Sequence, residues 1–122
     1  MPYQIKIFTD QKYILLKVVG EIDRVRALAY NLEAHALGRK SGVNRYLVDL
    51  TEARNVDTVL DTYEFAHQDM QATAGIDRLA HVAVLVSPGD HSHDFVETVA
   101  RNAGLDVTLF SDRELALRHL LA

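Results

Sequence analysis

Two acidic residues and a hydroxyl mark the stretch LVDLTEARNVDT, which covers residues 47–58. Asp49 stands near the end of a run with strand character, and Asp57 and Thr58 open the next helical segment. Asp or Thr in that place is a typical N-cap, whose side-chain oxygen accepts a backbone N–H of the first turn. A phosphorylated Thr58 would suit the same place, because the helix dipole favours negative charge at an N-terminus. Capping is the commoner use, so the sequence favours a cap and leaves phosphorylation as the alternative.

A second polar segment, PGDHSHD at residues 88–94, places two histidines among carboxylates. Helical residues two positions apart point away from each other, so His91 and His93 could not share an ion there. A structural zinc site also needs four ligands, and the other ligands are not evident. We therefore expect a helix start, with Asp90 or Ser92 as the cap and Asp94 complementing the dipole.

The remaining patterns indicate no catalytic residue, metal or cofactor. Glu64 and His67 have the spacing of di-iron helical bundles, but those sites need a second such pair and two more glutamates. His81 falls within a strand, where a hydrogen-bonded histidine of the sheet is expected. The sequence contains no glycine-rich phosphate loop, GxSxG motif or HExxH motif.

Composition narrows the class of protein. The 122 residues are 48% hydrophobic and 25% charged, which predicts one globular domain over residues 1–122. The net charge of −4 argues against nucleic acid or an anionic membrane surface as partner. The absence of cysteine excludes disulfides and thiolate sites. With neither a signal peptide nor a membrane-length apolar run, a cytoplasmic protein is expected.

The hydrophobic pattern predicts five strands and four helices. The strands are expected at residues 3–8, 13–20, 45–50, 80–86 and 106–110. The helices are expected at residues 22–37, 58–73, 92–103 and 112–121. Gly38 is the predicted stop of the first helix, and Ser111 with Glu114 has the spacing of a capping box that opens the last. The first helix is predicted to bury the residues at helical spacing, which are Val25, Leu28, Ala29, Leu32 and Ala36. In the second helix the expected stripe is Val59, Tyr63, Ala66 and Met70.

This order of elements predicts an α/β fold. The short turn after the first strand makes the first two strands antiparallel, whereas strands joined by helices lie parallel through right-handed crossovers. The result is a mixed sheet of about five strands, in which an N-terminal hairpin is followed by alternating helices and strands. The strands at residues 45–50 and 80–86 are the most continuously apolar and are expected at the centre, and the alternating first strand at an edge.

The order also resembles the STAS/SpoIIAA-like fold, whose familiar members are bacterial anti-sigma factor antagonists. In those proteins the central strand is followed, eight residues after its acid or amide, by Asp-Ser-Ser-Gly, whose first serine is phosphorylated by a partner kinase. Asp49-Leu50 and Asp57-Thr58 match that offset here, and Val59-Leu60 stand where the family has Ser-Gly. The C-terminal pattern is similar to that of a sister group, the small uncharacterised bacterial SpoIIAA-like proteins: Phe110-x-Asp112-x-Glu114-x-Ala116-Leu117-x-x-Leu120. What the resemblance implies is the fold.

Two classes of function remain open. The first is a non-enzymatic regulatory or protein-interaction module that acts through the second helix and the loop before it. The second is a small-ligand domain, for apolar or nucleotide-like molecules, or a small enzyme with its pocket at the carboxyl ends of the parallel strands. A deep apolar pocket there would favour the second class, and a filled core with a flat helical face the first, which we predict. Besides Asp57 and Thr58, the candidate functional rim comprises Asp49, Thr51, Asp90, His91 and Ser92.

A homodimer is expected as well. Leu60, Phe65 and Val96 have the positions of exposed apolar residues on helices, and a monomer gains by covering such residues. A two-fold contact between helix faces is the expected form.

Overall fold

A computed structural model describes residues 2–122, apart from the side chain of Val59. Within that range the chain forms five strands: β1 (Tyr3–Phe8), β2 (Tyr13–Ile22), β3 (Arg45–Asn55), β4 (His81–Leu85) and β5 (Asp106–Phe110). The predicted place of Val59 on the apolar stripe of the second helix lies outside what is described.

Helices connect and follow the strands. Helix α1 (Arg24–Ser41) follows β2, and α4 (Asp94–Asn102) and α5 (Arg113–Leu121) follow β4 and β5. Between β3 and β4 one continuous helix spans residues 59–72. It consists of α2 (Val59–Glu64), a π-helical segment (Phe65–Asp69) and the short α3 (Met70–Ala72). We call this composite element the second helix.

The sheet has the order β1-β2-β3-β4-β5, with β1 antiparallel to β2 and every other pair parallel. The predicted fold class is therefore confirmed, with β1 at an edge and β3 in the middle. Because the crossovers all step the same way across the sheet, right-handedness puts α1, the second helix and α4 on one face. Residues of α5 pack in a separate cluster with Leu15, Leu47 and Leu85, which covers the opposite face.

A β-bulge in β3 shifts the side on which its residues lie. Lys17 of β2 is opposite Asp49, but the next paired residue, Val19, is opposite Glu52, so β3 carries one residue more than β2 in this interval. As a result Leu50 and Ala53, three positions apart, belong to the same core cluster, which strict alternation would not allow. The strand also continues to Asn55, so residues 52–55, expected in a loop, are paired with residues 19–22 of β2.

The predicted buried face of α1 is wrong. Val25 is 77% exposed, and Ala29 and Ala36 are exposed as well. The helix instead buries Tyr30 and His35, together with small residues that let the backbone approach the sheet. The rings decide this orientation: Tyr30 stacks on Tyr3 of β1 with centroids 4.1 Å apart, and His35 stacks on Tyr46 of β3 at 4.5 Å.

Gly38 does not end the first helix. It lies inside α1, and the helix ends at Gly42, which has a left-handed φ of 68° and donates its N–H to the carbonyl of Gly38. Gly38 is required for packing: a Cβ there would overlap the Tyr46 hydroxyl and lie 2.6 Å from the carbonyl oxygen of Val43. The glycine that was predicted to end the helix therefore lies where α1 comes close to Tyr46 of the sheet.

The capping box predicted at Ser111 and Glu114 is also wrong. Asp112 is the N-cap of α5, and its carboxylate accepts the N–H of Leu115 at 3.1 Å. Asp and Ser are comparable caps, so the place where the chain leaves β5 decides between two neighbouring candidates.

We predict that Gly38→Ala destabilises the protein by about 1–3 kcal/mol, the usual cost of forcing extra volume into packed structure. The free energy of unfolding from urea denaturation measures the effect. Gly89→Ala is the matched control, because a Cβ at Gly89 has no neighbour within 4 Å. Equal stability of the two variants would contradict the close approach of α1 to Tyr46.

Candidate functional site

Asp49 does not share a site with Asp57. It is only 5% exposed and lies on the α5 side of the sheet, where its Oδ1 accepts the N–H and the hydroxyl of Thr51 at 3.0 and 2.7 Å. Arg113 of α5 lies 3.7 Å from its other oxygen. Asp57 lies toward the helices of the other face. The structure therefore separates these two carboxylates and uses Asp49 to hold the backbone at the bulge.

Thr58 stands at the N-cap of the second helix. Its hydroxyl oxygen accepts the N–H of Asp61 at 3.1 Å, and the carboxylate of Asp61 accepts the N–H of Thr58 at 3.2 Å. The preceding residue is held differently, since the N–H of Asp57 donates to Asn55 Oδ1 at 2.9 Å. Burial is the main cause that raises the pKa of Asp57, and the backbone N–H of Arg24 opposes it.

Residues 90–93 form a turn before α4. The carboxylate of Asp90 accepts the N–H of Ser92 at 2.9 Å, and the Ser92 hydroxyl oxygen accepts the N–H of Asn55 at 3.1 Å. Hydrogen bonds from Ser92 lower the pKa of Asp90. The prediction that Asp90 or Ser92 caps the helix is wrong, because α4 begins later, with His93 at the N-cap position. The polar side chains of this turn thus bond to the turn and to β3.

The two histidines of this turn point in different directions. His91 is exposed and its Nδ1 lies 3.1 Å from Asp94, whereas His93 is 1% exposed. The Nε2–H of His93 donates to the carbonyl of Ala53 at 3.1 Å, which fixes the start of α4 to β3. Among residues 2–122, no three histidine or acidic side chains come together to hold a metal ion. No pattern in the sequence indicates this hydrogen bond, because it depends on a strand that is distant in the chain.

Arg24 joins the first turn of α1 to the second helix. Its guanidinium donates to both oxygens of Asp69, at 2.6 and 2.9 Å, and to the carboxylate of Glu64. Glu64 and Asp69 are five positions apart and reach one guanidinium because the segment between them is π-helical, with i→i+5 geometry. The hydrogen bonds from Arg24 lower the pKa of Asp69. Sequence reasoning missed this cluster, because α-helical spacing does not place the two acids together.

A cavity of about 130 Å³ lies beneath the second helix, between the sheet and the helices of the first face. Most of its lining is aliphatic. Phe65 and Val96, which were expected to be exposed, are half-buried and line it. Six polar residues also contribute: Asp23, Asn31, Asn55, Asp57, Thr62 and His93. Of the site residues predicted from the sequence, Asp57 is the one that lines this cavity. An apolar pocket is the feature that favours a small-ligand domain. The second class of function is therefore supported by one observation in the structure.

Large apolar side chains are exposed around the carboxyl ends of β2, β3 and β4. Leu60 is 63% exposed and Phe95 58% exposed. Hydrogen bonds connect the chain segments at this end of the sheet. The N–H of Val56 donates to the carbonyl of Ile22 at 3.0 Å, and the N–H of Asn55 donates to the hydroxyl oxygen of Ser92. We call this surface the apolar rim, and its members are Val25, Val56, Leu60, Tyr63 and Phe95. No helix within the described range is long and apolar enough to cross a membrane.

Comparison with known proteins places the fold. No family model matches the chain, and no curated protein matches it by sequence. The structure is similar to that of the anti-sigma factor antagonist SpoIIAA in its unphosphorylated form, with a TM-score of 0.52 and 12% identity over 96% of each chain. It is also similar to an uncharacterised protein with a SpoIIAA-like fold from Shewanella loihica PV-4. That comparison has a TM-score of 0.53 and 16% identity, and covers 97% of this chain and 91% of the other. The chain has a SpoIIAA-like fold.

We predict that Thr58→Ala lowers the free energy of unfolding by roughly 0.5–2 kcal/mol, because the N–H of Asp61 loses its acceptor. Thr58→Ser is the matched control and should keep most of the stability, since its hydroxyl can accept the same hydrogen bond. Thermal melts of both variants measure the difference. A Thr58→Ala protein as stable as wild type, together with a phosphorylated species in the intact mass of protein from its native cells, would identify a phosphorylation site instead.

The ion pair of Asp69 should make stability depend on pH. Because its folded-state pKa is lower than the usual 3.8, the stabilisation is fully present above that value and is lost as the pH falls through the folded-state pKa. Asp69→Asn should therefore be less stable than wild type at pH 7, and the difference should shrink below about pH 3.8. Urea denaturation at both pH values measures it.

Asp10→Asn serves as the control, since Asp10 lies in the exposed turn between β1 and β2. It should change stability little at either pH. A difference between wild type and Asp69→Asn that is the same at pH 7 and in acid would contradict an electrostatic role for the cluster.

Proposed function

We propose that this chain is a non-enzymatic regulatory module that binds another protein through the apolar rim. The observation that carries the proposal is that five large apolar side chains are exposed on segments that follow the carboxyl ends of β2, β3 and β4. Single exposed apolar residues are ordinary, but several in one region are typical of an interaction site. Two members, Tyr63 and Phe95, are aromatic, and aromatic residues are enriched in interfaces.

The bonding of the nearby polar residues supports a binding role over catalysis. Thr58 and Asp61 satisfy each other at the start of the second helix, and Ser92 bonds to β3. Among the described residues, no hydroxyl is hydrogen-bonded to a histidine, the pairing that would activate a nucleophile. The polar groups around the rim therefore serve to hold the segments on which the apolar residues stand.

The similarity of fold gives independent support for a regulatory role. SpoIIAA is an anti-sigma factor antagonist, which means that it counteracts an anti-sigma factor. A SpoIIAA-like fold in this chain is compatible with such a role, in which a surface rather than a catalytic centre is functional. The partner is defined here by chemistry: it presents apolar side chains to the rim.

A homodimer is part of this proposal. In a two-fold contact the same surface serves both subunits, so Leu60 and Tyr63 of the second helix would meet their own copies across the axis. Covering these residues removes apolar surface from water, which is the main driving force for such association. The partner of the regulatory interaction would then compete with, or bind beside, the second subunit.

We predict that Leu60→Lys combined with Phe95→Lys abolishes association, because two charges in the rim would have to be desolvated on binding. Light scattering at tens of micromolar measures the dimer directly. For a different protein partner, crosslinking in the native cells is compared between a photocrosslinking residue at position 60 and one at position 79. The partner should crosslink from position 60, and this crosslink should be lost when Phe95→Lys is added.

Leu79→Lys is the matched control. Leu79 is exposed like Leu60 but precedes β4, at the opposite end of the sheet. It should leave both the dimer and the crosslink unchanged. A monomeric wild-type protein would exclude the homodimer, and equal crosslinking from positions 60 and 79 would exclude the rim as the interaction surface.

A further inference from the structure

The cavity beneath the second helix has the size and lining of a site for a small apolar group. Its walls include Val48, Leu50, Val84 and Val107 from three strands and Phe65 from the π-helical segment. Its volume is about 130 Å³. An engineered cavity of roughly 150 Å³ with aliphatic and aromatic walls binds benzene. One six-membered ring, or an alkyl chain of similar volume, therefore fits the space.

The charged groups that line the cavity are negative. Asp23, which is paired with Arg26 at 2.9 Å, and Asp57 both contribute, and the described lining residues include neither lysine nor arginine. The guanidinium of Arg24 is held by Asp69 and Glu64. A ligand with a carboxylate or phosphate head would meet like charge there, whereas a ligand with a cationic head would find a counter-ion.

Asp57 is the carboxylate best suited to receive a cation. It is half-buried, and its backbone N–H is already bonded to Asn55, so its position is fixed. Burial raises its pKa, and the neighbouring carboxylates of Asp61 and Asp23 raise it further, although the N–H and the positive charge of Arg24 act in the opposite direction. A bound cation would offset both the loss of solvent and the repulsion between carboxylates.

We propose that the cavity binds a small amine, whose aryl or alkyl body enters the apolar space while its ammonium group lies against the carboxylate of Asp57. Shape complementarity holds the body, and a charge-assisted hydrogen bond to Asp57 selects the head. This site goes beyond the proposed function, because it uses the inner side of the second helix, and neither proposal depends on the other.

Three probes share a phenyl ring and differ in the head group, so they distinguish binding of the ring from recognition of the charge. They are benzylamine, benzyl alcohol and benzoate. Methyl NMR spectra of the full chain should show saturable shifts of Val48, Val84 and Val107 with benzylamine. A dissociation constant of about 1 mM or below is expected for a ligand of about eight heavy atoms. Benzyl alcohol should bind about tenfold more weakly, because it lacks the charge-assisted hydrogen bond. Benzoate should give no saturable shift.

Variants locate the two parts of the site. Asp57→Asn keeps the shape of the side chain and removes its charge. It should weaken the affinity for benzylamine about tenfold and leave the affinity for benzyl alcohol unchanged. Asp94→Asn, an exposed carboxylate of α4 outside the lining, is the matched control and should change neither. Ala100→Leu places extra volume in the cavity and should abolish binding of both probes. Its fold is checked by the chemical-shift dispersion of the methyl spectrum.

The outcomes are decisive for the proposal. It is overturned by benzoate that binds as tightly as benzylamine, by an Asp57→Asn protein that binds benzylamine like wild type, or by shifts confined to surface residues. Binding that survives in folded Ala100→Leu protein also overturns it. If Ala100→Leu does not fold, the probe series and Asp57→Asn still decide, because both use a protein with an unaltered core.

Discussion

A side chain on a strand faces one side of its sheet, and this constraint along β3 governs the arrangement of the whole site. With regular alternation, Leu47 and Asp49 face α5, and Val48 and Leu50 face the other helices. The bulge after Asp49 then shifts the alternation by one residue, so that Ala53 enters the same core as Leu50. Without that extra residue, the side chains at the end of β3 that now face the cavity would lie on the opposite face of the sheet.

The helices of the first face are tied to this strand end by polar contacts in addition to the apolar packing of the core. His93 bonds to Ala53, Ser92 bonds to Asn55, and Arg24 bonds to the second helix. Charge-assisted and buried hydrogen bonds of this kind are directional, so they fix where each helix begins. On the opposite face, α5 packs in a separate apolar cluster. The first face therefore combines an apolar core and a cavity with hydrogen bonds at the end of β3.

The second helix presents two surfaces with different chemistry. Leu60 and Tyr63 are exposed on the apolar rim, and Phe65 and Ala66 line the cavity. Helical periodicity places these groups on different sides of the helix. A molecule in the cavity would thus touch the helix that a protein partner would contact from outside. The two surfaces share an element without sharing residues.

The sequence by itself determined the fold class, because its signals are local. Alternation in Tyr3–Phe8, the short turn that follows, and the change to helical period are set by residues near one another in the chain. These signals also placed Thr58 at the start of the second helix. Only the tertiary structure decided which face of α1 is buried, because Tyr30 and His35 are oriented by rings on β1 and β3.

Tertiary structure likewise decided the site. The separation of Asp49 from Asp57 depends on a bulge that exists only when β2 and β3 pair, and Gly38 is explained only by Tyr46. The cluster of Arg24 with Asp69 joins residues 45 positions apart across a π-helical turn. Periodicity reports how apolar a face is, but it carries no information on which distant group will lie against it.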